Sequence, residues 1–144
     1  ITTDETPFEI GKAEIFYSPD GIANVGIIAT GALVRNAMLA AKDLEKKGIR
    51  CKILNLHTIK PIDSEAIIKL AKETKHIVTV EEHQKHGGMG SAVAEVLAQE
   101  FPVPVEFVGV DDKFGQSGEP NELIEHYKMG REAIKDAVTR VINR

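Results

Sequence analysis

The residues with the clearest chemical potential are two adjacent carboxylates and two nearby histidines, Glu81, Glu82, His83 and His86. Side chains of these types act as general acids, general bases or metal ligands in enzyme active sites. Neighbouring residues of an extended segment point to opposite sides, so these four do not converge without help from the fold. No third ligand accompanies His83 and His86 at a spacing typical of zinc sites. The pattern favours an orienting role at an interface over catalysis or metal binding.

A glycine-rich turn follows these residues and precedes a predicted helix. It contains Gly87, Gly88 and Gly90 and is followed by Ser91. Backbone N–H groups at the start of a helix can bind an anion, but this spacing matches neither the dinucleotide-binding motif nor the P-loop. We favour the interpretation that the glycines permit a tight turn and close packing of helix on sheet. A small-anion site is the alternative.

A polar loop over residues 111–121 contains one aromatic residue, Phe114, and the pair Ser117 and Gly118. This loop and residues 81–90 both follow strands that are predicted to be parallel. They are therefore expected at the same edge of the domain, where ligands usually bind in such sheets. An aromatic residue such as Phe114 is of the type that anchors a buried contact with a partner. The alternative is that Phe114 folds back onto the core of its own domain.

Five strand patterns alternate, for the most part, with helical patterns. The run Val25–Ala29 is continuously apolar, which is typical of a parallel strand covered on both faces. Residues 12–17 alternate between polar and apolar before a Ser-Pro-Asp-Gly turn, which favours an antiparallel edge strand. Further strands are predicted over residues 49–56, 76–80 and 103–110, and helical spacing recurs from Leu33, after Asp63, after the glycine turn, over 122–128 and over 134–142. The predicted class is α/β: a three-layer α/β/α sandwich whose five-stranded sheet is mostly parallel with one antiparallel edge strand.

The composition excludes several functions. Apolar residues make up 42% and charged residues 28% of the chain, as in an ordinary folded domain. A net charge of -4 without a basic block argues against nucleic acid, and no apolar run approaches the ~18 residues that a membrane span needs. The single cysteine, Cys51, lies in an apolar strand pattern and is predicted to be a buried hydrophobe. We expect a cytoplasmic protein with one domain over residues 11–144, preceded by an interdomain linker or a processed N-terminus over residues 1–10.

Short motifs spread over nearly the whole chain resemble the C-terminal domain of transketolases in order and spacing. They are Ile10–Ala13, Gly26–Gly31, Thr58–Asp63, Val80–His83, Gly87–Gly90 and Ser117–Leu123. The first four are shared with 1-deoxyxylulose-5-phosphate synthases and with the beta subunits of 2-oxo acid dehydrogenases. The stretch Phe114–Ile124 is more specific to transketolases, because it is similar to their Ser-Gly-x-Pro-x-Glu-Leu segment, including that of transketolases split into two subunits.

The resemblance implies an enzyme of the pentose phosphate pathway that transfers ketol units between sugar phosphates, using thiamine diphosphate and a divalent metal such as Mg²⁺. In that family the cofactors lie between a diphosphate-binding and a pyrimidine-binding domain, and the diphosphate and metal need a Gly-Asp-Gly motif that this sequence lacks. No catalytic, cofactor-binding or metal-binding residue is therefore assigned here, and the fragment alone is expected to be inactive. The implied partners are those two domains, in the same chain or in a partner subunit, within a homodimer or a heterotetramer. The alternatives are a C-terminal domain of either relative named above, or a regulatory anion-binding module.

Overall fold

The computed structural model describes residues 2–144 and has a five-stranded sheet at its centre. The strands are β1 (Glu14–Tyr17), β2 (Val25–Ala29), β3 (Cys51–Asn55), β4 (Ile77–Gln84) and β5 (Val105–Val110). Every residue of β2 is buried, as its uninterrupted apolar sequence predicts for a strand that is covered on both faces. β2 therefore occupies the middle of the sheet.

Helices cover both faces of this sheet. Among residues 2–144 the α-helices are α1 (Val34–Glu45), α2 (Ser64–Thr74), α3 (Met89–Glu100), α4 (Pro120–His126) and α5 (Arg131–Ile142). A 3₁₀ turn over Gly31–Leu33 leads into α1. The carboxylate of Asp63 accepts a hydrogen bond from the Ala66 amide at 3.1 Å, so Asp63 caps α2 as its sequence position predicts. None of the helices within the described residues is long and apolar enough to cross a membrane.

The strands lie in the order β1-β3-β2-β4-β5. β2 pairs in parallel with β3 and β4, β4 pairs in parallel with β5, and β1 pairs antiparallel with β3. Successive residues of β2 point to opposite faces: Ile27 packs in the core beneath α1 and α5, whereas Ile28 packs in the core beneath α2 and α3. This arrangement confirms the predicted three-layer α/β/α sandwich with one antiparallel edge strand.

One strand is clearly longer than the sequence predicts. The sequence predicts β4 over residues 76–80, but the strand continues to Gln84, which pairs with Val110 after an irregularity in the register. The sequence does not predict this continuation, because a buried parallel strand is recognised from an apolar run and residues 81–83 are polar. The bounds predicted for the other strands agree with the observed ones to within two residues, and those of β2 are identical to the observed ones.

The segment before β1 contacts the connection between β3 and α2. The ring of Phe8 stacks on His57 with 4.6 Å between the ring centroids. The Ala13 amide donates a hydrogen bond to Asp63 Oδ2 at 2.8 Å. The predicted linker of residues 1–10 begins at Ile1, which lies outside the described residues, and its role as a linker stays a prediction.

Candidate functional site

The strand order defines a crevice at the carboxyl edge of the sheet. The chain leaves β2 to form β3 on one side and returns to form β4 on the other, and ligands of open α/β sheets bind where the order reverses in this way. A crevice of about 310 Å³ lies at this point. Its lining includes Thr30 and Ala32 after β2, Ile59 after β3, and Glu82, His83 and Gly88 from β4 and the glycine turn. We refer to it as the switch-point crevice.

Glu81 ties the end of β4 to the start of α3. Its side chain is buried, with 3% of the residue exposed. Its two carboxylate oxygens accept hydrogen bonds from the Met89 amide at 2.6 Å and from the Gly90 amide at 2.8 Å. These amides belong to the first turn of α3, where the helix dipole favours a negative charge. The carboxylate of Glu81 thus occupies the start of α3, which is where the anion-binding alternative places an external anion.

The three glycines of the turn are required for different reasons. Gly87 has φ +76°, a left-handed conformation that side chains rarely adopt. A Cβ atom on Gly88 would lie 2.7 Å from Glu81 Cδ, and one on Gly90 would lie 2.6 Å from Thr79 Oγ1. The turn is therefore a site of close approach between α3 and β4, in agreement with the packing interpretation of these glycines.

Glu82 and His83 lie at the mouth of the switch-point crevice and are exposed, as is His86. Nδ1 of His83 lies 3.0 Å from the carbonyl oxygen of Gln84. Because a carbonyl only accepts, Nδ1 is the donor, which leaves Nε2 of the neutral ring as an acceptor. His83 Nδ1 is also 4.0 Å from Glu81 Oε2. Among residues 2–144, no group of three or more histidines, cysteines, aspartates or glutamates is placed to hold a metal ion.

Phe114 stands at the tip of the loop between β5 and α4, and its side chain is fully exposed. Gln84 Nε2 donates a hydrogen bond to the Lys113 carbonyl at 2.7 Å, and the Tyr127 hydroxyl donates one to the Phe114 carbonyl at 2.9 Å. These bonds fasten the loop to the end of β4 and to the end of α4. The two predicted segments therefore lie side by side at one edge, and the alternative that Phe114 folds onto its own core is wrong.

Ser117 and Gly118 lie further along the same loop and are exposed. A Cβ atom on Gly118 would come within 3.0 Å of a methyl group of Leu123 in α4. The glycine thus allows the loop to pack closely on the start of that helix. Neither Ser117 nor Gly118 lines the switch-point crevice.

Cys51 is buried in β3, as predicted. Burial away from water raises the pKa of its thiol to about 12, and the charge of Glu45 adds to this effect. The thiol is therefore neutral at physiological pH and unsuited to act as a nucleophile.

Two features of this edge were not predicted from the sequence. The anchoring role of Glu81 depends on the start of α3 folding back onto β4, which no local pattern encodes. The contribution of Ile59 to the crevice depends on the strand order, because the connection after β3 reaches the crevice only when β3 and β4 flank β2. Ile59 is 42% exposed, and only the structure shows that its apolar side chain lines this crevice.

Comparison with known proteins assigns the fold to a family. The family described as "Transketolase, C-terminal domain" matches residues 20–134. The chain belongs to this family. The family resemblance inferred from the sequence is thereby confirmed.

Several relatives of the transketolase C-terminal domain are similar over most of this chain. The 6-deoxy-6-sulfo-D-fructose transketolase subunit SqwH of Clostridium sp. (strain MSTE9) is 39% identical over 144 residues, covering 100% of the chain and 44% of the relative. The 1-deoxy-D-xylulose-5-phosphate synthase of Heliobacterium modesticaldum is 42% identical over 132 residues, covering 90% of the chain and 20% of the relative. A solved structure described as a split gene transketolase, inactive beta4 tetramer, superposes with a TM-score of 0.91 at 38% identity, covering 99% of the chain and 46% of that structure. The chain thus spans less than half the length of these proteins.

Proposed function

We propose that this domain docks the remaining parts of a transketolase onto one another, and that the complete enzyme transfers two-carbon ketol units between sugar phosphates. The observation that carries this proposal is the carboxyl edge of the sheet. There the side chain of Phe114 is fully exposed, and two hydrogen bonds, from Gln84 Nε2 to the Lys113 carbonyl and from the Tyr127 hydroxyl to the Phe114 carbonyl, anchor the backbone of its loop. An exposed aromatic side chain on an anchored loop is of the type that contributes to a protein interface.

We infer that the parent enzyme is split into two subunits and that this domain belongs to the C-terminal one. Support comes from the names of two relatives, a transketolase subunit and a split gene transketolase, of which this chain covers 44% and 46%. The proposed partners are the pyrimidine-binding and diphosphate-binding domains, in an assembly that is a homodimer or a heterotetramer. A cytoplasmic location and a place in the pentose phosphate pathway are part of the same proposal.

The glycine-rich turn, which is the candidate anion site of this domain, does not suit the proposed cofactors, thiamine diphosphate and Mg²⁺. A diphosphate group needs free backbone N–H groups or cationic side chains. The glycine-rich helix start that offers such groups, at Met89 and Gly90, is already hydrogen-bonded to the carboxylate of Glu81. A second anion would meet that negative charge. We propose that the cofactors bind in the other domains and that this domain helps to hold the assembled enzyme together.

A second candidate parent is 1-deoxyxylulose-5-phosphate synthase, because a synthase of that name is 42% identical to most of this chain. Activity of the complete enzyme distinguishes the two. Ketol transfer between two sugar phosphates supports the transketolase, and formation of deoxyxylulose phosphate supports the synthase.

The docking role is tested in the complete enzyme by changing Phe114 and His83 together to alanine. We expect weaker subunit association in sedimentation velocity, with the rate per assembled enzyme within about tenfold of the original, because neither side chain is given a chemical role. Ile22→Ala is the matched control, since Ile22 is 78% exposed but precedes β2 at the opposite edge of the sheet. A double variant that stays fully assembled yet loses activity a thousandfold or more would contradict the proposal and place this edge in the active centre.

A further inference from the structure

The lining of the switch-point crevice has a distinct chemical character. Ala32, Ile59 and Met89 supply apolar surface, and Glu82 and His83 supply polar groups at the mouth. Within residues 2–144, no lysine or arginine lines this crevice. Its volume of about 310 Å³ is at the small end of ligand pockets, which span about 300–1,000 Å³. The crevice has room for one long side chain.

The two polar side chains at the mouth of the crevice, those of Glu82 and His83, can accept hydrogen bonds, and the Thr30 hydroxyl in the lining can both donate and accept. The carboxylate of Glu82 takes part in no hydrogen bond or ion pair within residues 2–144. By contrast, each carboxylate oxygen of the neighbouring Glu81 accepts a backbone hydrogen bond. His83 uses Nδ1 as a donor to the Gln84 carbonyl, so in the neutral ring its Nε2 is an acceptor. A ligand that complements these groups must bring donors and positive charge.

One side-chain type combines a positive charge, several donors and an apolar stem. Arginine buries its methylene groups along apolar surface while its guanidinium stays at the rim, and it presents five N–H donors in a planar fork that matches a carboxylate. The apolar wall formed by Ala32 and Ile59 suits the stem, and the carboxylate of Glu82 suits the head group. Arginine is also enriched at protein interfaces.

We propose that the switch-point crevice receives an arginine side chain from the polypeptide that docks on this edge, and that Glu82 is its counter-ion. This inference rests on the docking role proposed above and adds the chemistry of the contact. Glu82 then determines which partner surface is accepted, because a partner without a cation at this position leaves the carboxylate unpaired in the interface. Glu81 serves a separate purpose, since it fixes the turn that forms one wall of the crevice.

The test compares Glu82→Gln and Glu82→Lys with the control Glu95→Lys in the complete enzyme. Glu95 is exposed on α3 and does not line the crevice. Subunit dissociation constants are measured by sedimentation velocity over a dilution series at low and high salt, and thermal melts verify that each variant is folded. We expect Glu82→Gln to raise the dissociation constant about tenfold at low salt and Glu82→Lys to raise it further. The difference between Glu82→Gln and the original protein should shrink at high salt, whereas Glu95→Lys should behave like the original protein.

Two results would overturn the inference. If both Glu82 variants assemble as tightly as Glu95→Lys, the crevice does not hold a cation and the inference fails. In that case the docking role still stands, provided that Phe114→Ala weakens assembly. If neither the Glu82 variants nor Phe114→Ala changes assembly, the docking role fails, and this inference fails with it. A third variant, Ala32→Phe, fills the crevice without changing its charge, and it should weaken association at both salt concentrations if a side chain enters there.

Discussion

Replacing Glu81 by glutamine tests the link between the buried carboxylate and the glycine turn. The carboxylate accepts two backbone hydrogen bonds, from Met89 and Gly90, at 2.6 and 2.8 Å. An amide side chain keeps one acceptor oxygen and places an NH₂ donor against the second backbone N–H. One hydrogen bond to a charged group is therefore lost, which costs about 1.5–3 kcal/mol. The remaining amide is left buried without a partner.

We expect the free energy of unfolding of Glu81→Gln to fall by about 2 kcal/mol. In a domain of this size such a loss lowers the melting temperature by about 4–8 °C. Glu81→Ala removes both acceptors and should lower the stability further. Urea unfolding followed by circular dichroism measures these differences, with unchanged m-values indicating that the folded state is otherwise intact.

The neighbouring Glu82→Gln is the matched control, because it makes the same chemical change at an exposed position. Its stability should stay within about 0.5 kcal/mol of the original protein. Equal stabilities of Glu81→Gln and Glu82→Gln would refute the reasoning, since the buried carboxylate would then contribute nothing to holding α3 on β4.

Three further predictions concern other parts of the domain. Gly88→Val should lower the free energy of unfolding by about 1–3 kcal/mol, because the valine side chain would overlap the carboxylate of Glu81. The control Gly115→Val, at a position where a Cβ meets nothing within 4 Å, should keep the melting temperature of the original protein. Equal melting temperatures of the two variants would mean that the glycine turn is loosely packed. Cys51, whose thiol pKa is raised to about 12 by burial, should react with a thiol reagent only as fast as the protein unfolds, and labelling at the rate of a free thiol in the folded protein would contradict this assignment. Calorimetric titration of the folded domain with thiamine diphosphate and Mg²⁺ should give no one-to-one binding, and a micromolar isotherm would show that the cofactor is held without the other domains.

The layers of this fold are predictable because their signals are local. The apolar run Val25–Ala29 can bury itself only between two layers, and the spacing of Ile134, Ala137, Val138 and Val141 gives α5 one apolar face. Both patterns act within a few residues. The strands, the helices and the mixed direction of the sheet could therefore be assigned from the sequence.

The candidate site is less predictable because it is assembled from distant segments. The end of β4 is polar, so its extension to Gln84 depends on pairing with β5 rather than on residue type. Glu81 and Glu82 are adjacent residues of the same type. Even so, Glu81 is buried and bonded to two backbone amides, whereas Glu82 faces the switch-point crevice. Only the alternation of side chains along the strand and the position of α3 separate their roles. The exposure of Phe114 could likewise not be decided from composition, because an aromatic residue in a polar loop is compatible with either outcome.

The most direct test of the docking role is the change in amide hydrogen exchange when this domain assembles with the rest of its enzyme. Exchange is measured for the free C-terminal part and for the complete assembly, peptide by peptide. The account predicts slower exchange in residues 82–87 and 112–118 at the carboxyl edge, and unchanged exchange in residues 18–23 at the opposite edge of the sheet. Protection at residues 18–23 with unchanged exchange at the carboxyl edge would contradict it, because the partner would then dock away from Phe114 and the switch-point crevice.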